Sequence, residues 1–104
     1  MRSLPALDTL HSVHHVYIVR CADGTLYTGY ARDPLEREKL HNSGRGARYT
    51  CGRRPVRLVY SEVFESRGDA LRREYQLKHW PRSKKEALLA SVARPLTKRT
   101  PRGR

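Results

Sequence analysis

The chain is poor in acidic residues relative to basic ones. Its 104 residues include 10 Asp and Glu against 22 Lys and Arg, which gives a formal net charge of +12 at pH 7. Such an excess of positive charge is typical of proteins with a polyanionic partner, most simply a nucleic acid. The alternative interpretation is a solvated basic surface without a binding role.

Long apolar segments are also lacking. No apolar run is long enough to span a bilayer, and the first residues lack the apolar segment of a secretory signal peptide. No basic amphipathic helix favours an anionic membrane as the partner. We therefore expect a cytoplasmic protein, associated with the nucleoid where it binds DNA.

Cysteine is scarce, and the histidines do not form a metal pattern. Cys21 and Cys51 have no metal-ligand spacing, and without a secretion signal they are expected to be reduced thiols. His11, His14 and His15 lie close together in sequence, but adjacent histidines in a strand point to opposite faces. We therefore expect no metal site at these histidines.

The length is sufficient for one domain and too short for two. We expect a flexible arm over residues 1–12, a folded domain over 13–93 and a disordered basic tail over 94–104. The tail carries five basic residues, no acidic residue, two prolines and a glycine. This composition favours disorder and nonspecific contacts with phosphates.

Two strand-like segments, 16–21 and 25–30, flank an Asp-Gly turn and are rich in Val, Ile, Thr and Tyr. A two-residue turn would place Tyr17 and Tyr27 on opposite faces, because side chains alternate along a strand. A three-residue loop ending at a left-handed Gly24 would place both tyrosines on one face. We prefer this second register.

The preferred register has two further consequences. Gly29 lies opposite Tyr17 and leaves open space there, so that Gly29 has a structural role. The other face of the hairpin then collects apolar side chains suited to a core, namely Val16, Ile18, Leu26 and Tyr30.

A helix follows the hairpin. Asp33 is a suitable N-cap, Pro34 suits the first helical position, and Gly44 is a natural C-terminal signal. Arg37 and His41 are four residues apart and share one face of this helix. They are either part of a site or an exposed Arg-His pair on a solvated surface.

Residues 45–57 are expected to form a loop, because five arginines stand there with two glycines and a proline, directly after Gly44. Arginine-rich loops bind phosphates through forked donors. The alternative is a solvated linker to the next strand. The candidate nucleic-acid-binding residues are Arg45, Arg48, Arg53, Arg54 and Arg57.

Residues 56–64 read as a third strand, with Val56, Leu58 and Tyr60 on one face. Its direction relative to the hairpin is left open between antiparallel and mixed pairing.

A second helix is expected from an N-cap at Ser66 to about His79. Glu74 lies on the same stripe of this helix as Ala70 and Leu71. A carboxylate on a core-facing stripe is costly unless it is paired or binds a metal. The alternative to a metal ligand is an ion pair with a nearby arginine.

Ser83 and Glu86 have the spacing of a capping box for a last helix through Val92. Together these segments predict an α/β fold, with a small three-stranded, mainly antiparallel sheet flanked by helices.

These residues resemble the GIY-YIG nuclease domain. The first motif corresponds to 15–17, where the tyrosine matches, and the second to 27–29. Arg37 and His41 follow at the spacing of the family's catalytic arginine and histidine. The stretches H-N-S-G-R-G-A-R-Y-T and A-L-R-R-E-Y are similar to those of small, stand-alone bacterial members, the YhbQ-like group. The resemblance covers about 13–92.

The resemblance implies phosphodiester hydrolysis. A hard divalent ion, Mg²⁺ or Mn²⁺, keeps several waters, so a single carboxylate at Glu74 is a sufficient protein ligand. Arg37 would hold the scissile phosphate, and Tyr17 would act as the general base or position the water. Tyr27 and His41 would orient water or phosphate. The candidate catalytic residues are therefore Tyr17, Tyr27, Arg37, His41 and Glu74.

Two functions are compatible with this sequence. The first is a metal-dependent DNA endonuclease, structure-specific and linked to repair or recombination, acting on branched or single-stranded DNA, with RNA left open. The second is a nucleic-acid-binding module that kept the fold without cleavage. A basic structural protein bound to ribosomes or RNA is a weaker third reading.

Overall fold

A computed structural model describes residues 13–99, with side chains described as far as Val92. The expected arm over 1–12 and the end of the expected tail, 100–104, lie outside the described residues. The elements in chain order are β1 (His14–Arg20), β2 (Leu26–Ala31), α1 (Pro34–Asn42), α2 (Arg48–Cys51), β3 (Arg57–Phe64), α3 (Arg67–Lys78) and α4 (Arg82–Arg99).

The three strands form one sheet in the order β2-β1-β3, and β1 pairs antiparallel with both neighbours. The expected α/β fold with a small antiparallel sheet is therefore confirmed. The direction of the third strand, which the sequence left open, is antiparallel. Because β1 is central, its side chains are the most enclosed of the sheet, and β2 has one free edge.

The hairpin has the register of the three-residue loop. Tyr17 pairs with Gly29, and Val19 pairs with Tyr27. Gly24 has a φ of 87°, a left-handed conformation that favours glycine. The turn therefore fixes Tyr17 and Tyr27 on one face of the sheet, as predicted.

The third strand departs from the predicted alternation. Ile18 pairs with Tyr60 and Val19 pairs with Leu58, which leaves Val59 as an extra residue in a β-bulge. On the two sides of the bulge, the side chains of β3 that would share a face point to opposite faces of the sheet. The prediction that Leu58 and Tyr60 share a face is therefore wrong, and Tyr60 packs on the face of Ile18.

Two of the three predicted N-caps are observed. The Asp33 side chain accepts a hydrogen bond from the Glu36 amide at 3.2 Å, and the Ser66 side chain accepts one from the Asp69 amide at 3.0 Å. The third prediction is wrong, because α4 begins at Arg82 and places Ser83 inside the helix.

Glu86 has a different partner from the one that a capping box requires. Its carboxylate accepts two hydrogen bonds from the Arg20 guanidinium, at 2.8 and 2.9 Å, and so attaches α4 to the end of β1. The helix also ends later than predicted, at Arg99 instead of Val92. The first part of the expected disordered tail, 94–104, is therefore helical in its backbone.

The two faces of the sheet carry two separate apolar clusters. On the face of Tyr17, which α1 covers, the cluster contains Tyr17, Val19, Cys21, Ala31 and Val56. On the opposite face, which α3 and α4 cover, the buried residues are Val16, Ile18, Ala70 and Leu77. We call these surfaces the tyrosine face and the aliphatic face. None of the described helices is long and apolar enough to cross a membrane.

Candidate active site

Tyr17 lies at the centre of the tyrosine face. Its side chain is 1% exposed, and its ring extends across β2 above Gly29. A Cβ atom at position 29 would lie 2.5 Å from the Tyr17 hydroxyl oxygen and 2.6 Å from Cζ, which is closer than atoms can approach. The glycine is therefore what permits the tyrosine to lie over the strand.

His41 holds the Tyr17 hydroxyl from the side of α1. The Tyr17 Oη atom lies 2.7 Å from His41 Nε2, and the histidine is 1% exposed. Burial, followed by the charge of Arg37, lowers the pKa of His41 below its usual value. The imidazole is therefore neutral at pH 7 and carries one proton.

Two groups hold the imidazole at Nδ1. The Ala47 backbone amide lies 3.3 Å from Nδ1. Thr50 Oγ1 lies 2.8 Å from the same nitrogen, and its hydroxyl donates to the Ala47 carbonyl at 2.9 Å. The ring is therefore held at both nitrogens, by Tyr17 Oη at Nε2 and by Thr50 and Ala47 at Nδ1.

The residues that orient His41 were missed by sequence reasoning. Thr50 is fully buried and belongs to the short helix α2, inside a segment that was expected to be a loop. Gly46 packs directly on the imidazole, since a Cβ atom there would lie 2.2 Å from Nδ1. Both residues fall in the H-N-S-G-R-G-A-R-Y-T stretch, whose family resemblance was the only signal for them.

The remaining predicted residues surround the Tyr17 hydroxyl. Burial raises the pKa of Tyr17 well above its ordinary value, and the neighbouring Tyr27 and the Glu74 carboxylate raise it further. The Arg37 guanidinium opposes them and lowers the pKa. Arg37 also donates to the Tyr30 carbonyl at 3.4 Å. The other four predicted catalytic residues therefore all act on the phenol of Tyr17; they are Tyr27, Arg37, His41 and Glu74.

Glu74 approaches this site from α3, which packs against β1 and β2. Ala70 and Leu77, one turn away on either side, are fully buried, whereas the Glu74 side chain is 18% exposed. Its carboxylate pairs with Lys78 at 3.2 Å. An ion pair with an arginine was the alternative considered from the sequence; the observed partner is a lysine on the next turn of the same helix.

The donor set is compatible with a hard divalent ion. Within residues 13–92, no three His, Cys, Asp or Glu side chains are grouped so as to hold a metal by themselves. Glu74 is a half-buried carboxylate, which suits Mg²⁺ or Mn²⁺ when waters and a substrate phosphate complete the shell. The Lys78 side chain is 46% exposed and has room to move away from it.

Tyr27 connects the centre to a second aromatic residue. Its ring centroid lies 6.4 Å from that of Tyr17, 5.4 Å from that of His41 and 5.8 Å from that of Tyr49. Lys78 Nζ lies 6.0 Å from the same ring. Tyr49, which was not predicted as a site residue, therefore extends the site along the tyrosine face.

The five predicted arginines fall into two groups. Arg53 lies over the Tyr49 ring at 4.0 Å and pairs with Asp23 at 3.1 Å, and Arg54 donates to the Cys51 carbonyl at 2.8 Å. The other side chains are exposed and make no hydrogen bond or ion pair with the described residues; they are Arg45, Arg48 and Arg57. Arg57 is apart from the rest, near Arg20 and Glu86.

The comparison with known families agrees with this geometry. The model of the GIY-YIG catalytic domain matches residues 13–87. The chain belongs to the GIY-YIG family. The matched residues include every residue placed around Tyr17 above. The GIY-YIG catalytic domain is a nuclease domain.

Individual relatives place the GIY-YIG domain in a small, stand-alone group. A UPF0213 protein of Staphylococcus aureus (strain Mu3) is 55% identical over 76 residues, which cover 73% of this chain and 93% of the relative. The solution NMR structure of a UPF0213 protein from Bacillus halodurans is 51% identical, with a TM-score of 0.50, and covers 75% of this chain and 83% of that one. A protein from E. faecalis is 40% identical, with a TM-score of 0.53 over 77% and 85% of the two chains.

Proposed function

We propose that this GIY-YIG domain is a divalent-metal-dependent endonuclease that hydrolyses DNA phosphodiester bonds. The observation that supports this proposal most directly is the arrangement around the Tyr17 hydroxyl. A buried phenol is held by His41 while an arginine and a half-buried glutamate act on it from two other elements. Binding a nucleic acid alone does not require a carboxylate at such a place.

Arg37 is the residue that holds the scissile phosphate. Its guanidinium lies beside Tyr17 on the same face of α1 as His41. A fixed guanidinium gives two parallel donors to phosphate oxygens and stabilises the negative charge that grows on them in the transition state.

Tyr17 positions the attacking water. Because burial raises its pKa, the phenol is protonated at neutral pH in the free protein. The hydrogen bond to His41 Nε2 takes up one hydrogen-bonding position of the phenol oxygen, and the oxygen keeps further capacity for water. His41 thus fixes the direction in which Tyr17 orients that water, and Tyr27 closes the site beside both rings.

Glu74 would hold the metal once Lys78 releases its carboxylate. A bound Mg²⁺ or Mn²⁺ supplies positive charge to the phosphate oxygens and lowers the pKa of a bound water. The protein's own contribution is to bring this carboxylate from α3 toward Tyr17, on the same site as Arg37.

DNA is recognised through its backbone in this proposal. The +12 charge favours any polyanion, and Arg45 and Arg48 follow His41 with their guanidinium groups exposed. Contacts of this kind read phosphates and not bases. Branched and locally single-stranded DNA are the first substrates to examine, in keeping with a role in repair or recombination, and RNA belongs in the same panel.

The test compares Glu74→Ala and Arg37→Ala with the parent on duplex, flap, forked and single-stranded substrates with Mg²⁺ or Mn²⁺. We expect Glu74→Ala to abolish metal-dependent cleavage while DNA affinity stays nearly unchanged, because the arginines carry most of the binding. Arg37→Ala should impair cleavage by about 10²- to 10³-fold and also weaken binding, because it contacts the substrate.

The result decides between the enzyme and the binding module. Full metal-dependent cleavage by Glu74→Ala would exclude the catalytic assignment. A parent that binds tightly and cleaves none of the substrates would favour the non-catalytic module, for which the Glu74–Lys78 ion pair is the supporting observation, since it already satisfies the carboxylate.

A further inference from the structure

Two side chains of α1 bind the backbone at the beginning of β3. The Asn42 side chain donates from Nδ2 to the Val56 carbonyl at 3.0 Å, and its Oδ1 accepts from the Val56 amide at 2.7 Å. Glu38 Oε2 accepts from the Leu58 amide, also at 2.7 Å. Three hydrogen bonds therefore join α1 to the beginning of an outer strand of the sheet.

These contacts are specific in direction. A side-chain amide that donates to the carbonyl and accepts from the N–H of one residue must present its nitrogen and its oxygen in a fixed order, as Asn42 does. Glu38 adds a carboxylate acceptor, and hydrogen bonds to ionised groups are about twice as strong as neutral ones. Apolar packing, in contrast, has no preferred direction.

Each of the two anchors is the chain neighbour of a residue at the candidate active site. Glu38 follows Arg37, and Asn42 follows His41. Successive helical residues differ by about 100° around the axis, so the anchors contact β3 while their neighbours extend toward Tyr17. Because the anchors lie one turn apart, about 6 Å along the helix, together they fix both its rotation and its position along the axis.

Apolar packing gives α1 little orientation of its own. Its buried residues are Pro34 and His41, whereas Leu35 and Leu40 are 61% and 38% exposed. A helix with so small an apolar contact is free to rotate unless polar contacts hold it. The hydrogen bonds to β3 are therefore the main constraint on the direction of its side chains.

We propose that Glu38 and Asn42 are positioning residues, which set the rotation of α1 and thereby direct Arg37 and His41 at Tyr17. Both would lose their geometry together, since they share one face of the helix. The 2.7 Å hydrogen bond between His41 Nε2 and Tyr17 Oη tolerates a displacement of only a few tenths of an ångström. The inference rests on the proposed function, because it names what aligns that site.

The first test compares Asn42→Ala and Glu38→Ala with Glu36→Ala as the matched control. Glu36 lies on the same helix, but its side chain is 66% exposed and pairs with Lys39 at 3.5 Å. We expect kcat to fall by about 10²-fold in the first two variants, because a misplaced catalytic group has a cost of that order. KM should change little, since the arginines carry most of the binding, and Glu36→Ala should resemble the parent.

A conservative variant separates positioning from general stability. Glu38→Gln keeps an oxygen for the Leu58 amide and should restore most of the kcat that Glu38→Ala loses. All rates are measured per folded molecule, with the folded fraction taken from circular dichroism. A residue that only stabilises the fold would lower the melting temperature and leave kcat per folded molecule unchanged.

The second test does not depend on catalysis. The ¹⁵N chemical shifts of the His41 ring are measured by NMR without DNA or metal, and Tyr17→Phe supplies the shift of an Nε2 that has lost its hydroxyl partner. We expect Asn42→Ala and Glu38→Ala to move the Nε2 shift toward that of Tyr17→Phe. Glu36→Ala should keep the shift of the parent.

Parent values of both kcat and the His41 shifts in the folded anchor variants would overturn the positioning role. Where Asn42→Ala does not fold, Asn42→Asp carries the same comparison, because it keeps the acceptor for the Val56 amide and loses the donor. A parent that cleaves nothing, with the expected shifts in the variants, would refute the proposed function alone. A parent that cleaves normally, with unchanged shifts and kcat in the variants, would refute the positioning role alone.

Discussion

The two faces of β1 bury their side chains with different kinds of partner. Tyr17 and Ile18 are neighbours in the chain and are 1% and 0% exposed. Ile18 enters the aliphatic face, where it meets apolar side chains from α3 and α4. Tyr17 enters the tyrosine face, where its hydroxyl is held by a hydrogen bond to His41.

The difference between the faces lies in what each requires of its partners. On the aliphatic face, area and volume decide the energy, and any apolar side chain of similar size is tolerated. On the tyrosine face each buried polar atom needs a particular donor or acceptor, because an unpaired one costs about 1 to 3 kcal/mol. The first face therefore stabilises the fold, and the second selects one geometry.

The largest expected effect on stability is on the aliphatic face. Leu77→Ala removes a fully buried side chain and should lower the free energy of unfolding by about 2 to 5 kcal/mol. The folded fraction should keep its cleavage activity, since the tyrosine face is unchanged. Urea unfolding measures the first effect, and activity per folded molecule measures the second. Leu35→Ala, at a side chain that is 61% exposed, is the control.

Gly29→Ala should impair activity more than stability, the reverse of what is expected for Leu77→Ala. The new Cβ must displace the Tyr17 ring, since the two cannot remain 2.5 Å apart. We expect a loss of about 1 to 3 kcal/mol of stability from overpacking, and a fall in cleavage of about 10²-fold, because misplacing a positioning group has a cost of that order. Gly52→Ala, where no atom lies within 4 Å of the added Cβ, should change neither. Unimpaired cleavage by Gly29→Ala would contradict the assigned role of Tyr17.

Thr50→Val tests how His41 is held at Nδ1. The variant keeps the shape of the side chain and removes the oxygen that lies 2.8 Å from Nδ1, so it should lower stability by about 1 to 3 kcal/mol. Its pH–rate profile should also shift, since a purely structural residue would leave that profile unchanged. Thr50→Ser should restore both the profile and the stability. A Thr50→Val protein with the profile of the parent would show that the oxygen does not orient His41.

The smallest expected effect is the pH dependence of stability. Because the pKa of His41 is lowered in the folded state from 6.5, the unfolded chain binds the proton more readily. Stability should therefore fall as the pH decreases through about 6.5, by no more than about 1.4 kcal/mol per pH unit for one proton. Thermal melts between pH 5 and 8 measure this slope. His41→Gln should flatten this slope. His14 is a half-buried histidine whose pKa is also lowered, so His14→Gln shows how much of the slope belongs to His14.

Local patterns were sufficient wherever neighbours in the sequence decide the structure. The turn with Gly24 fixed the hairpin register, and Asp33 and Ser66 capped their helices as predicted. The same reasoning failed at Tyr60 and at Ser83. A β-bulge in β3, opposite β1, turns Tyr60 to the other face of the sheet. Near Ser83, Glu86 pairs with Arg20 instead of completing a capping box. Both failures come from partners distant in the chain.

The sequence by itself determined the fold class, the strand pairing of the hairpin and the residues that could meet at Tyr17, because alternation and helical spacing are properties of a few consecutive residues. Only the tertiary structure decided that Thr50 and Ala47 hold Nδ1 of His41 and that Lys78 holds Glu74. The physical reason is that a hydrogen bond or an ion pair depends on distances of a few tenths of an ångström between separate elements. Those distances are set by how the helices pack against the sheet, and no local pattern contains them.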